Sequence, residues 1–188
     1  MYKRQILGSR GYGEAGKYYS IFTRDLGLIF ASAQGVRKMS SKLRFVLQDF
    51  SYIKVDLVKG KDLWRVTSAS KGNTLEGLTR TPAKFEVFFN VAKLLKRLLA
   101  GELANENLFT DVVSGLHLLE KTETEEDLRN VEAVIVLRIL NNLGYIGGGS
   151  QLENLIKSPF EEGLVVEAYK NRKEVLLQIN RALKETQL

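Results

Sequence analysis

Apolar and polar residues alternate with a period of two through the first eighty positions. Ile53, Val55 and Leu57 interleave with Tyr52, Lys54 and Asp56, and Trp64 and Val66 interleave with Leu63, Arg65 and Thr67. Shorter stretches around Ile21 to Thr23 and Leu28 to Phe30 have the same apolar, β-branched character. That period predicts strands, because successive side chains of an extended chain point to opposite faces. Glycine and polar clusters interrupt the pattern at Gly8 to Gly16, Arg24 to Gly27, Gly35 to Ser41 and Lys59 to Asp62. About five short strands joined by tight turns result, a count that suits a small closed barrel.

Beyond Thr81-Pro82 the spacing changes to three and four. Phe85, Phe88, Phe89, Ala92, Leu95 and Leu99 recur on one helical face, Thr81 and Pro82 supply a start, and Gly101 supplies a stop. Further helices are predicted over Asn105 to Leu119, Glu125 to Leu143 before Gly144, and about Glu167 to Lys184. Gly147 to Ser150 reads as a loop after a helix stop. The expected fold is therefore α+β, with a strand-rich domain at residues 1–80 and an all-helical domain at residues 81–188.

Charge divides at the same place. Residues 1–80 carry 15 Lys and Arg against 6 Asp and Glu, and residues 81–188 carry 13 against 16, for a total of +6. A basic part joined to a mildly acidic one has the footprint of a protein that meets a polyanion. The chain contains no cysteine, which excludes disulfides, thiolate zinc sites and a cysteine nucleophile. No signal-peptide run and no long apolar span are present, so a cytoplasmic protein without membrane attachment is expected.

Three motifs suggest catalysis or cofactor binding, and each has a plainer explanation. Gly11, Gly13, Gly16 and Lys17 match dinucleotide and phosphate-loop spacings, but the next residues, Tyr18 to Thr23, read as a strand where both motifs need a helix. A glycine-rich turn between strands accounts for them. Asp111, Ser114 and His117 follow one another along one helix, and such a line cannot surround a substrate carbonyl as a triad does. Glu125, Glu126 and Asp127 after Thr124 form a capped, acidic helix start rather than a metal site. No enzyme activity, cofactor or metal is expected.

The remaining signal is the segment Gly35 to Arg44, in which Arg37, Lys38, Lys42 and Arg44 sit among two serines. Lys3, Arg4, Arg10, Lys17 and Arg24 add charge nearby in sequence, interleaved with Tyr12, Tyr18, Tyr19 and Phe22. Cations beside aromatics suit single-stranded nucleic acid, whose phosphates take the charge and whose bases offer faces for stacking. The candidate binding residues are Arg37, Lys38, Lys42 and Arg44, flanked by Arg24, Arg10 and Lys17, with Tyr12 and Tyr19 as stackers. A non-catalytic scaffold that recognises a protein or an RNA remains the alternative.

Several segments carry a family resemblance. Ile6 to Glu14, Tyr19 to Leu28, Ala33 to Lys38, Ser41 to Arg44, Leu47 to Phe50 and Leu63 to Ala69 resemble, in order and spacing, the N-terminal domain of the bacterial recombination mediator RecO family. Leu137 to Tyr145 resembles the family's leucine-rich helix that ends in Leu-Gly-Tyr. The resemblance implies an oligonucleotide-binding (OB-fold) barrel and a role in DNA repair and recombination. It further implies binding of single- and double-stranded DNA, annealing of complementary strands, and help in loading RecA with RecR onto DNA coated by single-stranded-DNA-binding protein. Family members commonly carry a cysteine zinc module after Leu-Gly-Tyr; here Ile146 to Ser150 follows, so zinc does not carry over. The helical part, poor in positive charge, is the expected protein-binding region.

Overall fold

A computed structural model of the chain describes residues 2–72, 75–147 and 152–186, with the side chains of residues 2, 3 and 76 left aside. Residues 148–150 of the predicted glycine-rich loop, and the side chain of Lys3, lie outside the described part. No helix among the described residues is long and apolar enough to cross a membrane.

Five strands form a closed barrel: β1 (Tyr2–Tyr12), β2 (Gly16–Thr23), β3 (Gly27–Ala33), β4 (Tyr52–Lys59) and β5 (Trp64–Lys71), in the order β1-β2-β3-β5-β4 with β4 returning to β1. All neighbours are antiparallel except β3 and β5, which run parallel through Ala31 opposite Trp64 and Ser32 opposite Arg65. This is the OB-type barrel that the residue pattern and the resemblance lead one to expect. Its interior is built by the inward half of each alternation, including Ile6, Tyr19, Ile21, Ile29, Ala31, Ile53, Val55 and Val66. Gly8, at φ 142°, sits where the β1–β2 register slips, so a bulge turns β1 around the closing barrel.

Among the described residues seven helices follow: α1 (Glu76–Arg80), α2 (Pro82–Leu98), α3 (Glu106–Lys121), α4 (Glu125–Asn142), α5 (Glu153–Lys157), α6 (Glu162–Lys170) and α7 (Arg172–Glu185). Helix α4 begins as its sequence predicts, with the Thr124 hydroxyl accepting from the Asp127 amide at 3.1 Å and donating to the Asp127 carboxylate at 2.7 Å. It ends at Gly144, whose φ of 81° lets the Tyr145 amide reach back to the Leu140 carbonyl at 2.9 Å. Helix α3 approaches α4 at Gly115, where a Cβ would come within 2.4 Å of the Ile135 side chain.

Two features depart from the periodicity. The single C-terminal helix expected from about Glu167 is two helices, broken at Asn171, whose amide and side chain both donate to the Glu167 carbonyl. No glycine or proline marks that break, so a period count passes through it. The compact units are Met1–Glu76 with Ala92–Glu106, and Gly77–Val91 with Asn107–Leu188. The division therefore does not fall at a single point near residue 80. The stretch after α2 groups with the barrel because Glu102 and Glu106 reach barrel side chains and Leu103 lies on Gly27.

The candidate nucleic-acid interface

The long β3–β4 connection, residues 34–51, is an ordered cap on one end of the barrel. Val36 and Leu47 are buried in the barrel cluster, with Leu43 and Val46 packed against it. These apolar anchors turn the intervening cations outward: Arg37, Lys38, Lys42 and Arg44 are all exposed. Gly35, at φ 66°, opens a turn closed by the Lys38 amide on the Gly35 carbonyl, and Lys42–Phe45 form one 3-10 turn. The Arg37 amide donates to the Ala15 carbonyl at 2.9 Å, which ties the basic loop to the tip of the β1–β2 hairpin.

Between loop and hairpin lies a groove of about 530 Å³, lined by Lys17, Arg37, Met39, Arg44 and Gln48 above a floor of Tyr19, Val36 and Leu47. The Arg37 guanidinium stands over Gly11, where a Cβ would be 3.4 Å from Nη1. Arg44 donates to the Met39 sulfur at 2.7 Å and lies 5.9 Å from the Phe45 ring centre. Lys17 donates to the Ser9 hydroxyl at 3.2 Å, and Ser9 in turn donates to Asp49, the one carboxylate among the groove residues. None of the four loop cations forms an ion pair with a carboxylate among the described residues. Such a groove offers unneutralised positive charge and guanidinium donors to an anionic backbone.

Beside the groove, the hairpin carries an aromatic pair. Tyr12 is 49% exposed, and its ring lies 4.5 Å from that of Tyr18 at 38°. The Arg10 guanidinium sits 5.5 Å from the Tyr18 centroid. The register carries this row across the outer face, from Arg10 through Tyr18 and Ser32 to Arg65. Phe30 is exposed one row away, opposite Ser20. Tyr18, Phe30 and Arg65 were absent from the predicted set, although outward parity on β2, β3 and β5 would have selected them once the register was known.

Two sequence-based expectations need correction. Tyr19 is not a stacker: it is 1% exposed, and its hydroxyl donates to the Leu47 carbonyl at 3.2 Å. Burial, and then the Asp49 charge, push its phenol well above the usual tyrosine range. Arg24 does not flank the groove, because it lies at the β2–β3 turn and pairs with Glu106 at 2.9 Å. The eight residues of β2 (Gly16–Thr23) separate that turn from the β1–β2 hairpin, a span of roughly 25 Å. Arg4, one of the cations of the basic half, is buried in the barrel wall. The structure thus gathers Lys17, Arg37 and Arg44 in one groove, places Lys38 and Lys42 on its exposed loop, and sets Arg10 and Tyr12 beside it.

The glycine motif and Asp111 have structural placements. Gly11 and Gly16 belong to strands, and the turn between them leads into β2, not a helix. Asp111 accepts from Arg138 at 3.0 Å and from Asn142 at 2.8 Å. Arg138, only 3% exposed, also donates to the carbonyls of Leu155 and Ser158 and lies 4.2 Å from the Phe160 ring centre. That arginine fastens the α5 segment to α4, a role the sequence did not signal. Among the described residues no cluster of three His, Asp or Glu could hold a metal ion.

Residues 4–73 match the family described as Recombination protein O N terminal. Over 147 residues the chain is 34% identical to the DNA repair protein RecO of Heliobacterium modesticaldum, covering 77% of this chain and 52% of that protein. It is 31% identical over 169 residues to the DNA repair protein RecO of Desulfitobacterium hafniense, covering 85% and 60%. With the DNA repair protein RecO of Rubrobacter xylanophilus it shares 29% identity over 140 residues, covering 74% and 55%. The matched region thus spans little more than half the length of these relatives.

Proposed function

Because the chain belongs to the RecO family, whose N-terminal domain it carries over residues 4–73, we propose that it acts in DNA repair and recombination by gripping DNA backbones. The observation that carries this reading is the cap of the barrel, where Arg37, Lys38, Lys42 and Arg44 stand exposed beside Lys17 with no ion pair to a carboxylate among the described residues. An annealing protein needs to hold two flexible polyanions and screen their mutual repulsion, and backbone contacts do both without reading sequence. Single- and double-stranded DNA are the substrates. The barrel anneals complementary strands and, with RecR, assists RecA loading where single-stranded-DNA-binding protein coats the DNA. No bond is made or broken.

The helical unit is proposed as the protein-binding part. Val166, Tyr169, Leu176 and Leu177 are exposed on α6 and α7, which supports contact with a protein surface rather than with phosphate.

Fluorescence anisotropy and an annealing assay with labelled strands test the reading together. Substituting Arg37→Glu, Lys38→Glu and Lys42→Glu together is expected to remove most single-strand binding and annealing while circular dichroism stays unchanged. Unchanged affinity at about 100 mM salt would overturn it, because several lost phosphate contacts cost orders of magnitude.

A further inference from the structure

At the other end of the barrel, cations of the same kind are already occupied. The Lys59 ammonium and the Trp64 indole N–H flank the β4–β5 turn, and both donate to a single carboxylate, that of Glu102, at 2.9 and 2.8 Å. Lys59 Nζ also lies 5.3 Å from the centre of the Trp64 ring. Arg24, at the β2–β3 turn, is held in the same manner by Glu106 at 2.9 Å. Between these two glutamates the backbone of Leu103 lies so close to Gly27 that a Cβ there would meet the Leu103 carbonyl at 2.2 Å. Residues 101–106 therefore run as a strap over this end of the barrel.

The chemistry at Glu102 is that of a phosphate site. One two-oxygen anion is shared by an ammonium and a neutral N–H donor, with an aromatic ring alongside. Lys59, and then the Trp64 hydrogen bond, hold the Glu102 carboxyl below its usual range. The pairs are nonetheless solvent-exposed, with Lys59 at 63% and Glu102 at 41% side-chain exposure, so each is weak and open to exchange. The strap also lies against the barrel through the Leu103 backbone at Gly27.

We propose that Lys59 and Trp64, with Arg24 beside them, form a second nucleotide subsite, and that Glu102 and Glu106 occupy it as phosphate mimics until a single strand displaces them. This rests on the reading of the basic loop as a backbone grip, and extends it along the barrel. A strand long enough to reach both ends exchanges carboxylate for phosphate at Lys59, brings a base against the indole, and releases the strap. A short strand held at the basic loop leaves Glu102 in place. Acidic residues on the strap thus make affinity depend on strand length.

Trp64 is the only tryptophan in the chain, so its emission reports this subsite alone. The intact chain is titrated with oligothymidylates of about 4 and about 20 nucleotides, bracketing the site sizes of OB barrels. Anisotropy of a labelled strand is recorded beside tryptophan emission. The longer strand is expected to quench and shift Trp64 emission, the shorter one to leave it unchanged. Glu102→Gln is expected to tighten binding of the longer strand by about 3- to 10-fold and to leave the shorter one unaffected. Glu106→Gln, acting through Arg24, is expected to do the same more weakly, and it supplies an independent test should the first variant misfold. If anisotropy reports binding while Trp64 emission stays constant at saturation and neither variant tightens it, the second subsite is overturned and the basic-loop reading stands. If the unaltered chain binds no strand by anisotropy, the basic-loop reading itself fails.

Discussion

The two ends of the barrel carry the same residue types in opposite electrostatic states. At the capped end, Arg37, Lys38, Lys42 and Arg44 project from a loop whose apolar residues are sunk in the core, and among the described residues none of them forms an ion pair. At the strapped end, Lys59 and Arg24 each face a glutamate at 2.9 Å. Basic residues are a binding surface only where the fold leaves them unneutralised. The neutralising groups, Glu102 and Glu106, lie 43 and 82 residues away from their partners in sequence. Inspection of local charge runs therefore counts Arg24 with the loop cations, and folding separates them.

Reversing the capped end is the strongest way to break this contrast. The triple replacement of Arg37, Lys38 and Lys42 by glutamate is expected to weaken single-strand binding by at least about a hundredfold near physiological salt. Equilibrium anisotropy checks this, and a loss below tenfold would mean that the two ends do not differ as described.

Stacking beside the groove gives the next largest effect. Tyr12→Ala is expected to cost about 1 to 3 kcal/mol of single-strand affinity, the scale of one base on an aromatic face. Its effect on duplex affinity is smaller, because paired bases are not free to stack. A smaller change follows from Arg44→Ala or Lys17→Ala, each of which should weaken binding several-fold and lower the salt slope by about 0.7, one single-strand phosphate contact.

The smallest effect separates floor from surface. Tyr19→Phe removes the hydrogen bond to the Leu47 carbonyl and is expected to cost about 1 kcal/mol of stability without changing affinity. Thermal melting and anisotropy on the same sample distinguish the two quantities. The phenols of Tyr19 and Tyr52 are both raised, in each case first by burial. A raised phenol favours the neutral form in the folded state. Its contribution to stability is complete below the ordinary tyrosine pKa of about 10 and disappears as pH rises through the folded value. An absorbance titration should accordingly show a late phenolate fraction that arrives with loss of the fold, and Tyr19→Phe should shrink it.

Much of the fold was legible because its signals are local. Alternation fixed the strands, Thr124 and Gly144 bounded α4, and the strand character of Tyr18 to Thr23 disqualified the glycine motif as a phosphate loop. The basic loop was legible for the same reason, as one contiguous run. What escaped depends on partners distant in sequence or on parity. Tyr18 and Tyr19 are adjacent and equally aromatic, and only the register of β1 against β2, slipped at Gly8, decides which faces solvent. Arg138 draws its partners from Asp111, Leu155 and Ser158, none of which forms a motif with it. The break at Asn171 rests on side-chain capping that hydrophobic spacing does not register.

The most direct test of the central claim is the dependence of single-strand affinity on salt, measured for the unaltered chain and for the triple charge reversal. The account predicts a steep linear fall of log affinity with log salt for the unaltered chain, with a slope of about −3 or steeper from the four loop cations and Lys17. The reversed chain is predicted to bind weakly with a slope near zero. Tight binding that is insensitive to salt, or equal slopes for the two proteins, would contradict it.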